Sequence, residues 1–243
     1  MHSRKRAAAL VTAFVFAAPA VLISSPASVA SAATATYSVQ YLTLGNGHRV
    51  VSRWNPCRTH TYKVNLASVP SATRAAVLVE AETAVRVLGL KTGMAFTYMG
   101  ATTEVPRVGS YARQSAEIII AFTSPAKTNY LVGTADAYGG NTAFMKSASS
   151  GTTTTYSAGI TKGFVVVDTA RLMGKYKAGF GAGARRGNLL LHELGHVVGL
   201  NHVSNAHLLM NPMLSAYSPS GYAVGDAAGL SVVGRKAGCI TGF

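Results

Sequence analysis

A chain of 243 residues, 49% of them hydrophobic, can bury one substantial core, and nothing in the composition calls for a second. Its 22 Lys and Arg against 8 Asp and Glu give a formal charge of +14. Beyond the N-terminal segment these cations are scattered, with doublets only at Arg185-Arg186 and Arg235-Lys236 and a loose cluster from Arg171 to Lys177. Without interleaved aromatics, that argues against a nucleic-acid site and for a solvated basic surface suited to anionic envelope or matrix polymers.

The first residues predict an export signal. Arg4, Lys5 and Arg6 precede an apolar run from Ala7 to Ile23, and Ala30-Ser31-Ala32 has the small-x-small form of a cleavage site. An uncleaved anchor is the competing reading, but the run is short for a bilayer and contains Pro19. Cleavage after residue 32 removes three cations and no acid, leaving +11. No later stretch is apolar enough to span a membrane, so secretion without stable membrane insertion is expected, as a monomer.

Residues 33–53 are polar and weakly patterned, and read as a short leader or prosegment before a domain over 54–243. Thr61 to Leu66 alternates and predicts a strand. A helix should start at Pro70-Ser71, bury Val77, Leu78, Ala81, Ala84, Val85 and Leu88, and stop at Gly89. Ala95 to Met99, Glu117 to Phe122 and Phe164 to Val167 read as further strands, the second with the unbroken Ile118-Ile119-Ile120 run of a twice-covered strand. The Gly-, Ser- and Thr-rich stretch Tyr138 to Ser157 reads as a long surface loop. Gly187 to Leu200 predicts an amphipathic helix, and Asp226, as an N-terminal cap, a short closing helix to Val233. The sum is an α/β (α+β) domain built on a mixed sheet.

Cys57 and Cys239 are the only cysteines, and an exported chain meets oxidising conditions, so one bridge between them is expected. The sharper alternative, a Cys57 thiolate held on a metal to keep the protein latent, would leave Cys239 over.

The chemistry concentrates in His192-Glu193-Leu194-Gly195-His196-Val197-Val198-Gly199-Leu200-Asn201-His202. Residues four apart on a helix lie about 40° apart on one face, so His192 and His196 can grip one ion. A catalytic zinc takes three protein ligands and keeps a fourth position open. Gly199 can adopt the left-handed conformation that turns the chain after the helix and brings His202 back as third ligand. Glu193 points about 100° round the helix and is the candidate general base for a water that zinc acidifies. A closed structural site would want a fourth ligand and cysteine-rich spacing, and neither is visible. His48, His60 and His207 lack a partner at metal spacing and read as ordinary surface or loop histidines.

This run resembles the extended zinc motif of the metzincin metallopeptidases, the matrixin-like branch above all. Leu209-Met210-Asn211-Pro212 is similar to the methionine turn of that family, and Trp54 with Tyr62-Lys63-Val64 resembles the start of its catalytic domain. The resemblance implies a zincin fold, one catalytic zinc, Met210 as a floor beneath it, a protein or peptide substrate, and a pocket lined by Pro212 to Tyr217. It also implies a Pro-Arg-Cys-Gly switch, where this chain has only Asn55-Pro56-Cys57-Arg58, and a second zinc, for which Gly133 to Thr142 and Thr161 to Asp168 hold no histidine. No second zinc is therefore expected. Calcium remains a secondary reading at Asp136 and Asp168, since separated carboxylates are more often caps or ion pairs. Tyr217 or Tyr222 could assist an oxyanion, though a packed ring is the plainer role. The rival functions are an exported adhesion domain with a structural zinc and a zinc amidase acting on peptidoglycan; an intact Glu193 speaks against the first.

Overall fold

The computed structural model describes residues 36–110, 113–240 and 242–243; the expected export signal lies outside them. The elements run β1 (Tyr41–Thr43), β2 (Arg49–Arg53), β3 (Thr59–Asn65), α1 (Ser71–Thr92), β4 (Ala95–Ala101), β5 (Ile118–Thr123), β6 (Ala137–Ser150), β7 (Thr153–Asp168), α2 (Thr169–Lys175), α3 (Arg186–Val197) and α4 (Val224–Val233). The strands form one seven-stranded sheet that is mostly parallel: β2–β7, β7–β5, β5–β3 and β3–β4 are parallel, and β1–β2 and β6–β7 are antiparallel. Among the described residues no helix is long and apolar enough to cross a membrane.

Burial follows the patterns that made the elements. Every residue of β5 is buried, as a strand paired and covered on both sides requires. In α1, Val77, Ala81, Ala84, Val85 and Leu88 recur at helical spacing and pack with Leu190, Leu191 and Leu194 of α3 in one core. All of α3 is buried except His196, so this helix lies in the middle of the domain with one window to solvent. A buried Trp54 fixes its C-terminal end, the indole Nε1–H donating to Val197 O at 2.9 Å.

Several sequence expectations are corrected. Residues 39–53, read as a leader or prosegment ahead of the domain, pack into its sheet: β1 and β2 join it through β7, and Val39 is buried beside α3, bridging to Leu200. Gly89 does not stop α1, which runs on to Thr92 and ends on Gly93 at φ 70°. The surface loop expected over 138–157 is a hairpin, β6 and β7 pairing from Ala137↔Val167 to Ser150↔Thr153. Its outer half is exposed on both faces, so no apolar alternation marks it in the sequence. His60 is buried, not superficial. It sits 4.6 Å from the Trp54 ring, with Nε2 against Asn55 O at 3.0 Å and Nδ1 against Glu117 Oε1 at 3.2 Å, and two partnered ring nitrogens make such burial tolerable. His48 and His207 are exposed.

Cys57 and Cys239 form the expected disulfide, with Cα atoms 5.4 Å apart across 182 residues of sequence.

Candidate metal centre

Three histidines that are local in sequence converge on one point. His192 and His196 project from successive turns of α3, and Gly199 reverses the chain after it at φ 105°. A side chain at Gly199 would also meet Ser52 O at 2.6 Å, so backbone shape and close approach both require glycine. His202 is thereby returned to the same point, and the three Nε2 atoms lie 3.0, 3.1 and 3.2 Å from one another.

Lone pairs at that distance repel unless a cation or proton lies among them. Three nitrogens of a tetrahedral zinc with bonds of about 2.0–2.1 Å stand about 3.3 Å apart, so the triangle fits such an ion. The outer nitrogens are assigned: His192 Nδ1 lies 2.7 Å from Leu209 O and His196 Nδ1 2.8 Å from Leu200 O, so each N–H donates to a carbonyl and presents a neutral Nε2. The donor set can therefore hold one metal ion.

Burial keeps these rings neutral. It pushes His192 down to about 3 and His196 to about 4, with neighbouring imidazoles adding to the shift, and lowers His202 as well. The unfolded chain takes up these protons near pH 6.5, so the histidines' contribution to the stability of the metal-free protein is complete above that pH and is lost as pH drops toward the folded values. His192 alone contributes about 1.4 kcal/mol per pH unit between roughly pH 6 and pH 4. Denaturant melts of the chelated Glu193→Gln protein, free of the opposite pH dependence of the buried Glu193 carboxyl, should show this loss, and one zinc equivalent should move it to lower pH; a flat profile would mean the rings are hydrated.

Glu193 is buried and lines the same cleft as the three histidines. Desolvation pushes its carboxyl up to about 8, opposed by the N–H of Gly139 on β6. Asn141 on β6 donates to His196 O at 2.8 Å and to Gln40 Oε1 at 2.7 Å, tying the strand edge to α3.

Met210 is buried and packs against α3 at Gly195. A Cβ on Gly195 would stand 2.5 Å from its sulfur, so the motif's inner glycine gives Met210 its place. Sequence reasoning missed what holds this turn. Asp226, expected as the N-cap of α4, is three residues inside the helix capped by Ala223. Its buried carboxylate accepts from Ala223 N at 2.9 Å, Leu209 N at 2.8 Å and Met210 N at 3.1 Å. Burial raises this carboxyl although three N–H groups favour its charge. Asp226 thus sets the Leu209 carbonyl that orients His192, a link across 16 to 17 residues with no local sequence signal. Asp226→Asn places an amide N–H against backbone donors, and metal affinity is expected to fall about 10- to 100-fold in a competition titration. Unchanged affinity would show that packing of Leu209 and Met210 suffices.

The cleft has a volume of about 740 Å³. Gly139, Gly140 and Asn141 form one wall and Pro212, Met213 and Leu214 another. Asp136, Arg171, Lys175 and Tyr176 also line it, the Asp136 carboxylate pairing with Lys175 and Arg171 and accepting from Tyr176 Oη at 2.7 Å. Asp168 caps α2 through the N–H groups of Ala170 and Arg171. Both carboxylates weighed for calcium are thus engaged in an ion-pair cluster and a cap. Tyr222 is packed, its hydroxyl donating to Leu191 O at 2.6 Å, and Tyr217 is exposed against His207. In comparisons with known proteins, no family model matches the chain and no curated protein matches it significantly.

Proposed function

We propose that the protein is a secreted, zinc-dependent endopeptidase of metzincin, matrixin-like type. The observation that carries this reading is the convergence of three imidazole Nε2 atoms within 3.2 Å of each other in an open cleft that Glu193 also lines. His192, His196 and His202 would hold the ion. Zinc, when bound, supplies the acidity that activates a water molecule and the positive charge that polarises a carbonyl.

The remaining work falls to the chain's own groups. Glu193, next to the first ligand and shielded from bulk solvent, takes the proton of the attacking water and passes it to the leaving amine. Leu209 O and Leu200 O hold two ligand rings in orientation. Among the described residues β6 pairs only with β7, so its outer edge beside the cleft can take an extended peptide as an added strand. Pro212 to Leu214 would border the residue following the cut bond.

The test is digestion of an unfolded protein by the purified chain, with new N-termini identified. Cleavage that a chelator stops and zinc restores is expected. Stoichiometric zinc with no cleavage of any protein or peptide would overturn the reading; release of peptide from cell wall under those conditions would identify an amidase.

A further inference from the structure

Around the Cys57–Cys239 bridge the fold gathers four cations from three distant parts of the chain. Arg53 ends β2, and its guanidinium donates to Gly238 O at 2.7 Å and Ala237 O at 3.2 Å. Arg235, in the 3-10 turn Arg235–Ala237, reaches Pro56 O at 3.5 Å and lies so near Gly93 that a Cβ there would meet its side chain at 2.9 Å. Lys91 is in the last turn of α1, two residues before Gly93, and Lys236 adjoins Arg235. Lys91, Arg235, Lys236 and both cysteines are exposed.

Among the described residues none of the four cations forms an ion pair. Seven of the chain's eight acidic side chains are engaged elsewhere: Glu80 on Arg186, Glu104 on Ser115, Glu117 on Arg58 and His60, Asp136 on Lys175 and Arg171, Asp168 on a helix cap, Glu193 in the cleft and Asp226 on backbone N–H groups; the eighth, Glu82, forms no ion pair among the described residues and lies near Tyr62 and Tyr98. Holding like charges together through a covalent bridge costs stability that a bound polyanion would return.

We propose that this patch docks a flexible linear polyanion with closely spaced phosphodiesters, of the polyol-phosphate kind. Recognition here is of charge density. Beside the cations the exposed residues include Leu90, Gly93, Ala237, Gly238 and the two cysteines, none of which offers an aromatic face, Arg58 is engaged by Glu117, and the nearby rings of Trp54 and His60 are buried, whereas single-stranded nucleic acid needs exposed rings for stacking. None of the four cations lines the cleft, so polymer and cleft ligand can bind together.

The experiment titrates the full protein against poly(glycerol phosphate), with single-stranded DNA as a parallel arm, over 50–300 mM salt. The variant Lys91→Glu/Arg235→Glu/Lys236→Glu is compared with Arg74→Glu/Lys127→Glu/Lys177→Glu, which makes the same charge change at exposed sites outside the patch, Arg74 being in the first turn of α1 and Lys91 in its last; thermal melts establish that both fold. Because Arg235 also contacts Pro56, Lys91→Gln/Lys236→Gln serves if the first variant does not fold. The patch variant should bind at least about 10-fold more weakly, with a shallower salt dependence as phosphate contacts are lost, while the control loses less than about 3-fold. Equal losses in both variants, no measurable binding at 50 mM salt, or tighter binding of DNA than of poly(glycerol phosphate) would overturn the proposal.

Discussion

On the proposed reading, Glu193→Gln is expected to lower peptide-bond hydrolysis by about 10²- to 10⁴-fold while metal content stays at the level of the unaltered protein. The amide has the volume of the carboxyl, and its carbonyl can still accept from Gly139 N–H, so α3 and its three histidines have no reason to move. What the amide cannot do is take a proton. Loss of activity through unfolding is separable. A carboxyl whose folded value is raised to about 8 from an ordinary 4.5 destabilises the metal-free fold progressively as pH rises through that window, so the neutral amide should leave stability equal or higher at pH 7. A zinc-loaded variant as active as the parent would remove Glu193 from the chemistry.

The second large effect belongs to the disulfide. Cutting it in a Cys57→Ser/Cys239→Ser variant frees a loop of 182 residues in the unfolded chain, which the chain-entropy model values at about 5 kcal/mol as an upper figure. Against a total stability of roughly 5–15 kcal/mol this is the largest single-site loss available outside the core. The bridge does not act alone. Asn55 Nδ2 donates to Ile240 O at 2.9 Å, Asn55 Oδ1 accepts from Ile240 N at 3.3 Å, and Arg53 clasps Gly238 and Ala237. These contacts should persist in the variant at 25 °C, so the denaturant midpoint falls sharply while zinc binding in the folded state is unaffected. A midpoint unchanged within error would show that the clasp alone closes the loop.

Length, periodicity and spacing carried a good part of this protein. The histidine pair and the turn back to His202 were legible because an i,i+4 pair and a glycine at a positive φ are local geometry, complete within eleven residues. The buried faces of α1 and β5 were legible because a core leaves periodic apolar residues behind. The disulfide followed from there being two cysteines and no others. Only tertiary structure decided the rest. Strand pairing of 39–53 and of 138–157 is a long-range event that exposed Ser, Thr and Gly do not signal, and His60 is hidden by partners that lie 5 and 57 residues away. Asp226 became the support of the turn at Leu209 and Met210, and Arg53, Lys91, Arg235 and Lys236 became one patch, because hydrogen bonds and fields act across space, where neighbours in sequence do not set the distances.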